Sequence, residues 1–188
     1  MKKITLIGTF LLGALCFNNV NAQDLPKPSS SAEVKQKIGL TDVTVVYSRP
    51  NVNDREIFGG LVPYNEIWRT GANLNTLITF SDDVKLEGKD VKAGTYALFT
   101  FPGEKEWKVV LNTTTDAWGT GSYDEANDIF SATVAAKEGC HQETMEFSFE
   151  NVQIENGMLQ LAWNKTLIQL KIEVDVKAKA WQNIETAI

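Results

Sequence analysis

Alternation of apolar and polar positions dominates the second half of the chain. Met145, Phe147 and Phe149 alternate with Thr144, Glu146, Ser148 and Glu150, and Leu159, Leu161 and Trp163 alternate with Gln160, Ala162 and Asn164. Successive side chains of an extended strand point to opposite faces, so each run predicts a strand with one buried and one wet face. A third run places Ile168, Leu170, Ile172, Val174 and Val176 between Gln169, Lys171, Glu173, Asp175 and Lys177. Earlier in the chain the pattern predicts strands over 33–38, 43–48, 76–80, 84–86, 95–101, 107–111 and 130–137. The run 95–101 is apolar on both faces, with Tyr96 and Leu98 opposite Ala97, Phe99 and Phe101, which predicts a central strand covered on both sides.

Turn chemistry separates these runs. Asn156-Gly157 tolerates the positive φ angles of a two-residue hairpin, and Glu87-Gly88-Lys89-Asp90, Pro102-Gly103 and Glu138-Gly139 read as turns of the same kind. Many short strands with few helical stretches predict an all-β fold, an antiparallel β-sandwich or jelly-roll-like barrel, over residues 32–177. Helical spacing appears only over 178–188, where Trp181, Ile184 and Ile188 share one face. So short a helix does not stand alone, and it is expected to pack on the sandwich. No internal repeat is present.

The first residues read differently. Lys2 and Lys3 precede an apolar run from Ile4 to Phe17, and Val20-Asn21-Ala22 supplies the small residues that suit cleavage before Gln23. This is the pattern of a secretory signal peptide over 1–22, too short to span a bilayer, and it predicts a periplasmic or extracellular protein. Leu15 stands before Cys16 where a lipoprotein signal needs a small residue, which argues against lipidation. Residues 23–31, with two prolines and three serines, read as a linker. No later run is long and apolar enough to be a transmembrane helix.

Removing residues 1–22 takes two lysines and no acid, so the formal charge of −6 becomes −8, which makes nucleic acid and anionic membranes poor partners. Removal also leaves Cys140 alone, so the processed chain has no intramolecular disulfide. A chain of this length buries roughly 68–70% of its unfolded surface, enough for a core to supply the stability.

One block breaks the regular pattern. Between Tyr47 and Asn73 lie all three arginines of the protein, Arg49, Arg55 and Arg69, interleaved with Tyr47, Phe58, Tyr64 and Trp68. Pro50, Pro63, Gly59-Gly60 and Gly71 keep most of it from forming a regular element, so it is a long ordered loop held by its own aromatics. A guanidinium suits planar, two-pronged contact to a carboxylate or phosphate. The block can therefore bind a small polar or anionic ligand, including a carbohydrate, through Arg49, Arg55, Arg69 and Asn73 with Tyr47 and Trp68 as walls. Equally, the arginines can pair with Asp54, Glu56, Glu66 and loop carbonyls and simply brace the loop. Two further classes stay open: a hydrolase using carboxylates in the same mouth, and a structural or envelope-interaction domain without a ligand.

Other constellations carry less. If Cys140 and His141 lie on a strand they point to opposite faces and form no nucleophile–base pair, and if Glu138-Gly139 is a turn they sit exposed at its edge; they read as a buried thiol beside an exposed histidine. One histidine and one cysteine do not make a familiar zinc site. Asp124, Glu125 and Asp128 do not match the ligand spacing of a calcium loop and read as a solvated acidic face. No residue pattern assigns a catalytic group, a metal or a cofactor, and nothing fixes the oligomeric state.

The block Tyr47-Ser48-Arg49-Pro50, Arg55, Phe58-Gly59, Leu61-Val62-Pro63-Tyr64 and Trp68-Arg69-Thr70-Gly71-Ala72-Asn73 resembles the signature of a family of secreted bacterial proteins known as a domain of unknown function. Lys92-Ala93-Gly94-Thr95-Tyr96, Trp107, Asn112, Trp118-Gly119, Tyr123 and Asp128 continue the resemblance, which spans Ser31 to about Val176. It implies an extracytoplasmic all-β domain and supplies no activity, substrate or catalytic residue. Some relatives are similar to this chain but carry helical repeats after the domain, where only 178–188 follows here.

Overall fold

The computed structural model describes residues 26–186. The expected signal peptide 1–22, the first residues of the linker and Ile188 lie outside the described residues. Among the described residues, ten strands and one α-helix follow one another. They are β1 (Ser30–Ile38), β2 (Thr41–Arg49), β3 (Thr76–Phe80), β4 (Val84–Leu86), β5 (Lys89–Val91), β6 (Gly94–Pro102), β7 (Glu106–Asn112), β8 (Asp128–Ala135), β9 (Lys137–Glu150), β10 (Asn156–Val174) and α1 (Val176–Thr186). All pairings are antiparallel, in a six-stranded sheet of order β1-β2-β3-β6-β7-β8 and a four-stranded sheet of order β5-β4-β10-β9. The fold is the expected antiparallel sandwich, with two separate sheets rather than a closed barrel.

Each sheet turns its apolar alternates to the other. Val43, Val45, Ile78, Phe80, Leu98, Val109 and Leu111 of the larger sheet meet Met145, Phe147, Leu159, Leu161, Ile168, Leu170 and Ile172 of the smaller in one continuous core. Register keeps these side chains together, since Val45 lies opposite Ile78, which lies opposite Tyr96. Strand β6 is central, between β3 and β7, and its outer face is also covered: Ala97 and Phe99 pack with Val110, Ile67, Leu77 and Tyr123.

The apolar parity of β10 changes along its length, from odd positions through Trp163 to even positions from Ile168. A strand can keep both runs in the core only if it gains one residue between them. The register shifts on either side of Asn164, whose φ is 53°, so two expected strands are one strand bent by a bulge.

The expected turn at Glu87-Gly88 is present, and three other local expectations are corrected. This two-residue hairpin turn, with positive φ at both positions, joins β4 to a short β5 that the alternation did not reveal. Asn156-Gly157 instead opens β10, and a longer loop from Asn151, itself at φ 50°, connects β9 to it. A Cβ on Gly157 would stand 3.1 Å from Ile38 Cδ1, so close packing, not a turn, is what that glycine serves. Glu138-Gly139 lies inside β9, paired with β10, because the strand continues beyond the core as a two-stranded ribbon. Finally, α1 forms but does not bury its apolar face: Trp181 is 66% and Ile184 51% exposed. It is held at its first turns, where Asp175 caps the Ala178 N–H at 2.9 Å and Lys179 pairs with Asp82 at 2.6 Å.

Candidate functional site

Beyond β2 the arginine-rich block crosses one end of the sandwich. It first runs beside β9, where Met145 N–H donates to the Pro50 carbonyl at 2.9 Å and Val52 N–H to the Glu143 carbonyl at 2.8 Å. It then reaches β6, where Trp68 and Thr100 exchange both backbone hydrogen bonds at 2.8 and 2.9 Å. The block's aromatics fill the space between these anchors. Phe58 packs edge-on against Trp68, Trp107 and Trp163, and Trp68 stacks on Trp163 with centroids 5.8 Å apart and rings within 20°. Burial of four large rings supplies the ordering energy that a chain without regular structure otherwise lacks.

Most of the expected site residues have internal partners. Tyr47 is buried between the sheets, edge-on to Phe147, and its hydroxyl accepts the Phe147 N–H at 3.0 Å. Trp68 is buried and its indole N–H donates to the Gly71 carbonyl at 3.1 Å. Asn73 donates to the Ser29 carbonyl and to Ser48 Oγ, both at 3.1 Å, tying the chain ahead of β1 to the block. Arg49 donates to the Met145 carbonyl at 2.9 Å and stands 3.8 Å from Glu146, bridging the two sheets. Arg55 donates to the carbonyls of Val52 at 3.0 Å and Asn51 at 2.6 Å. Bracing is thus what Arg49 and Arg55 do, through carbonyls and Glu146 rather than Asp54, Glu56 or Glu66.

Arg69 differs from both. It has no ion pair among the described residues, and its Nε is buried without a hydrogen-bond acceptor. Burial lowers its pKa from the ordinary arginine value, but an arginine keeps its charge at neutral pH. Its guanidinium carbon lies 5.9 Å from the ring centroid of Trp118, which is 73% exposed. Local structure holds this arrangement: Thr70 at φ 56° is fully buried, its carbonyl accepts from Thr76 Oγ1 at 2.7 Å, and its hydroxyl meets that of Thr100 at 3.1 Å. With Trp68 and Thr70 fixed on either side, Arg69 has little freedom to seek a partner elsewhere.

Arg69 lines a cleft of about 420 Å³ together with Arg55, Asn51, Asn53, Trp68, Trp163 and the Gly71-Ala72 backbone. No Asp or Glu lines it. Trp163 is buried, and its indole N–H, like Arg69 Nε, lacks an acceptor. The cleft is therefore lined by two arginines and by no carboxylate among the described residues, which gives it a positive character. Sequence reasoning found Arg69 and Arg55 but missed Trp163, Asn51 and Asn53. Trp163 reads as a core residue of an alternating strand, and only its position opposite the block brings it to the cleft.

The remaining constellations are structural. Cys140 is exposed, not buried, because this part of β9 extends past the core. His141 is exposed and lies 3.3 Å from both Asn164 Oδ1 and Glu143 Oε2. Asp124 caps a 3-10 turn (Glu125–Asn127) by accepting the Ala126 N–H at 3.0 Å. Asp128 accepts from Asn112 Nδ2 and the Tyr123 hydroxyl, both at 2.7 Å, so it braces the loop ahead of β8 rather than joining a solvated acidic face. Burial first, and then the Asp128 carboxylate, raise the Tyr123 pKa above its ordinary value, keeping the phenol a donor.

No curated protein and no solved structure matches the chain. The family described as "Protein of unknown function (DUF2911)" matches residues 29–172, which run from the segment before β1 nearly to the end of β10. The match includes the whole arginine-rich block, both sheets and every residue of the cleft except Pro28. The chain belongs to the DUF2911 family, whose function is unknown.

Proposed function

We propose that this protein is an exported binding domain for a small anionic ligand, whose carboxylate or phosphate is received by Arg69. The observation that carries this reading is a charged guanidinium with a buried Nε, no counter-ion among the described residues and a cleft without acids. Keeping an unpaired charge partly out of water costs free energy in the folded state, and a ligand anion restores what burial removed. The asparagines at the cleft wall add polar groups suited to a hydroxylated ligand such as an acidic sugar. A carboxylate-based hydrolase in this cleft finds no support in the lining. Arg49 and Arg55, engaged with carbonyls, favour a bracing role for the rest of the block.

The test is titration calorimetry with inorganic phosphate, succinate and glucuronate, with glucose as a neutral control, at low ionic strength. At least one anion is expected to bind, and Arg69→Gln weakens it about tenfold or more, the loss of a charge-assisted contact of roughly 1.5–3 kcal/mol. Because Arg69 has no ion pair among the described residues and its aromatic contact, Trp118, is largely exposed, the same variant keeps its melting temperature or gains slightly. Equal binding by parent and variant, or a destabilised variant with no anion bound by the parent, overturns the reading.

A further inference from the structure

A second cavity, separate from the Arg69 cleft, lies on the outer face of the larger sheet. It measures about 320 Å³ and is lined by Val46 and Ser48 of β2, Leu77 of β3, Leu74, Asn75, Thr115 and Asp116, with Ser31 at one end. Val46 pairs with Leu77, so stepping two residues along each strand brings Ser48 level with Asn75. These four residues share the outer face, and Thr76 between them turns inward to donate to the Thr70 carbonyl. Asn75 is held over this face by its backbone N–H, which reaches the Ala117 carbonyl at 3.3 Å across the loop that roofs the cavity.

Asn75 is only 5% exposed, yet neither its Nδ2 nor its Oδ1 has a hydrogen-bond partner among the described residues. A buried carboxamide with both ends open is uncommon, because each unpaired group loses hydration without compensation. Local bracing does not account for it: the neighbouring Asn73 spends its amide on Ser29 and Ser48, and Asn112 spends its own on Asp124, Asp128 and Thr114. A carboxamide edge offers a donor beside an acceptor, and its complement is a group with acceptor beside donor. Around it Val46 and Leu77 provide aliphatic walls, and Leu74 at the mouth is 57% exposed. Asp116 stands exposed at the rim, so the cavity repels the anion that the Arg69 cleft would attract.

We infer that this cavity is a binding site for a neutral amide carrying an aliphatic group, recognised by two hydrogen bonds from Asn75 and by burial against Val46 and Leu77. A peptide unit with a leucine- or valine-sized side chain has this chemistry, since the N–H and C=O of one extended residue lie along the same edge. The site is independent of Arg69: it has its own lining, its own polar anchor and the opposite charge preference.

The experiment follows the Asn75 side-chain NH2 pair, assigned by triple-resonance NMR, during titration with N-acetyl-leucinamide. The pair and the methyls of Val46 and Leu77 are expected to shift along a saturable curve, while 4-methylpentanol, which lacks the amide, leaves them unmoved. Equal shifts with both probes, or none with the amide up to its solubility limit, overturn the inference. A second measurement is the melting temperature of Asn75→Leu. If the carboxamide serves a ligand and not the fold, this variant melts at or above the parent and no longer responds to N-acetyl-leucinamide. A fall of several degrees shows instead that Asn75 braces the loop, and the inference fails.

Discussion

Arginine at three positions of one loop has two different meanings, and the difference is set by what lies within reach of each guanidinium. Arg49 leaves the end of β2 toward the opposite sheet and donates to the Met145 carbonyl. Arg49→Met removes that donor and leaves the carbonyl less well satisfied, so urea unfolding is expected to show a loss of about 1–3 kcal/mol. Anion affinity at Arg69 should be unchanged, because Arg49 does not line the cleft. A fully stable Arg49→Met would mean the bridge between sheets contributes nothing. The contrast with Arg69→Gln, where stability is expected to hold and anion binding to fall, is the measurement that separates bracing from recognition within a single block.

Elements behave as their periodicity directs when a face is available to receive them, and α1 shows what happens when none is. Its apolar residues have helical spacing, but only Val176, at its first position, packs against the core, and Trp181 and Ile184 stay in solvent. What ties the helix down is electrostatic. Burial pushes the Asp82 pKa up, but hydrogen bonds from Lys179 and Ser81 outweigh it, and the net value lies below the ordinary one. A depressed folded-state pKa stabilises the fold above the unfolded value of about 3.9, and that contribution disappears as pH falls through the folded pKa. Asp82→Asn is therefore expected to cost up to about 1 kcal/mol at pH 7 and less at pH 3, read from urea midpoints at the two pH values. A gap of the same size at both would show that the carboxylate's charge is not what matters. The bulge in β10 belongs to the same scale: two alternations of opposite parity share one strand only because Asn164 adopts a left-handed conformation between them.

Taken whole, the molecule is one core between two sheets, with the Arg69 cleft at its end and the Asn75 cavity on its outer face. The amino-terminal residues bear on its destination. A charged pair, an apolar run and small residues at Val20 and Ala22 lead us to infer export with cleavage after Ala22. The expected observation is an intact mass beginning at Gln23 for protein recovered from a periplasmic or culture fraction; uncleaved protein in the cytosol would reject it.

Much of this was legible in the chain itself, because strand alternation and burial obey the same period. Seven early runs lie within a few residues of observed strands, three late runs fall on β9 and β10, the last two sharing β10, and apolar residues on both faces mark β6 as central. The exceptions share one cause. β5 has three residues, too few for alternation to register. The outer half of β9 is polar on both sides because it has left the core. Asn156-Gly157 has turn-forming residues, but the close approach of Ile38 decides its place. For the candidate site, residue type singled out the three arginines, since guanidinium chemistry is local to the side chain. Whether a guanidinium is satisfied depends on carbonyls distant in sequence, such as Met145 for Arg49, and no periodicity encodes those. The sequence by itself thus determined the all-β sandwich and the block where chemistry concentrates. Only the tertiary structure decided that Arg49 and Arg55 are spent within the protein, that Arg69 is not, and that Asn75 keeps both ends of its amide unpaired, because hydrogen bonding is settled by proximity in space.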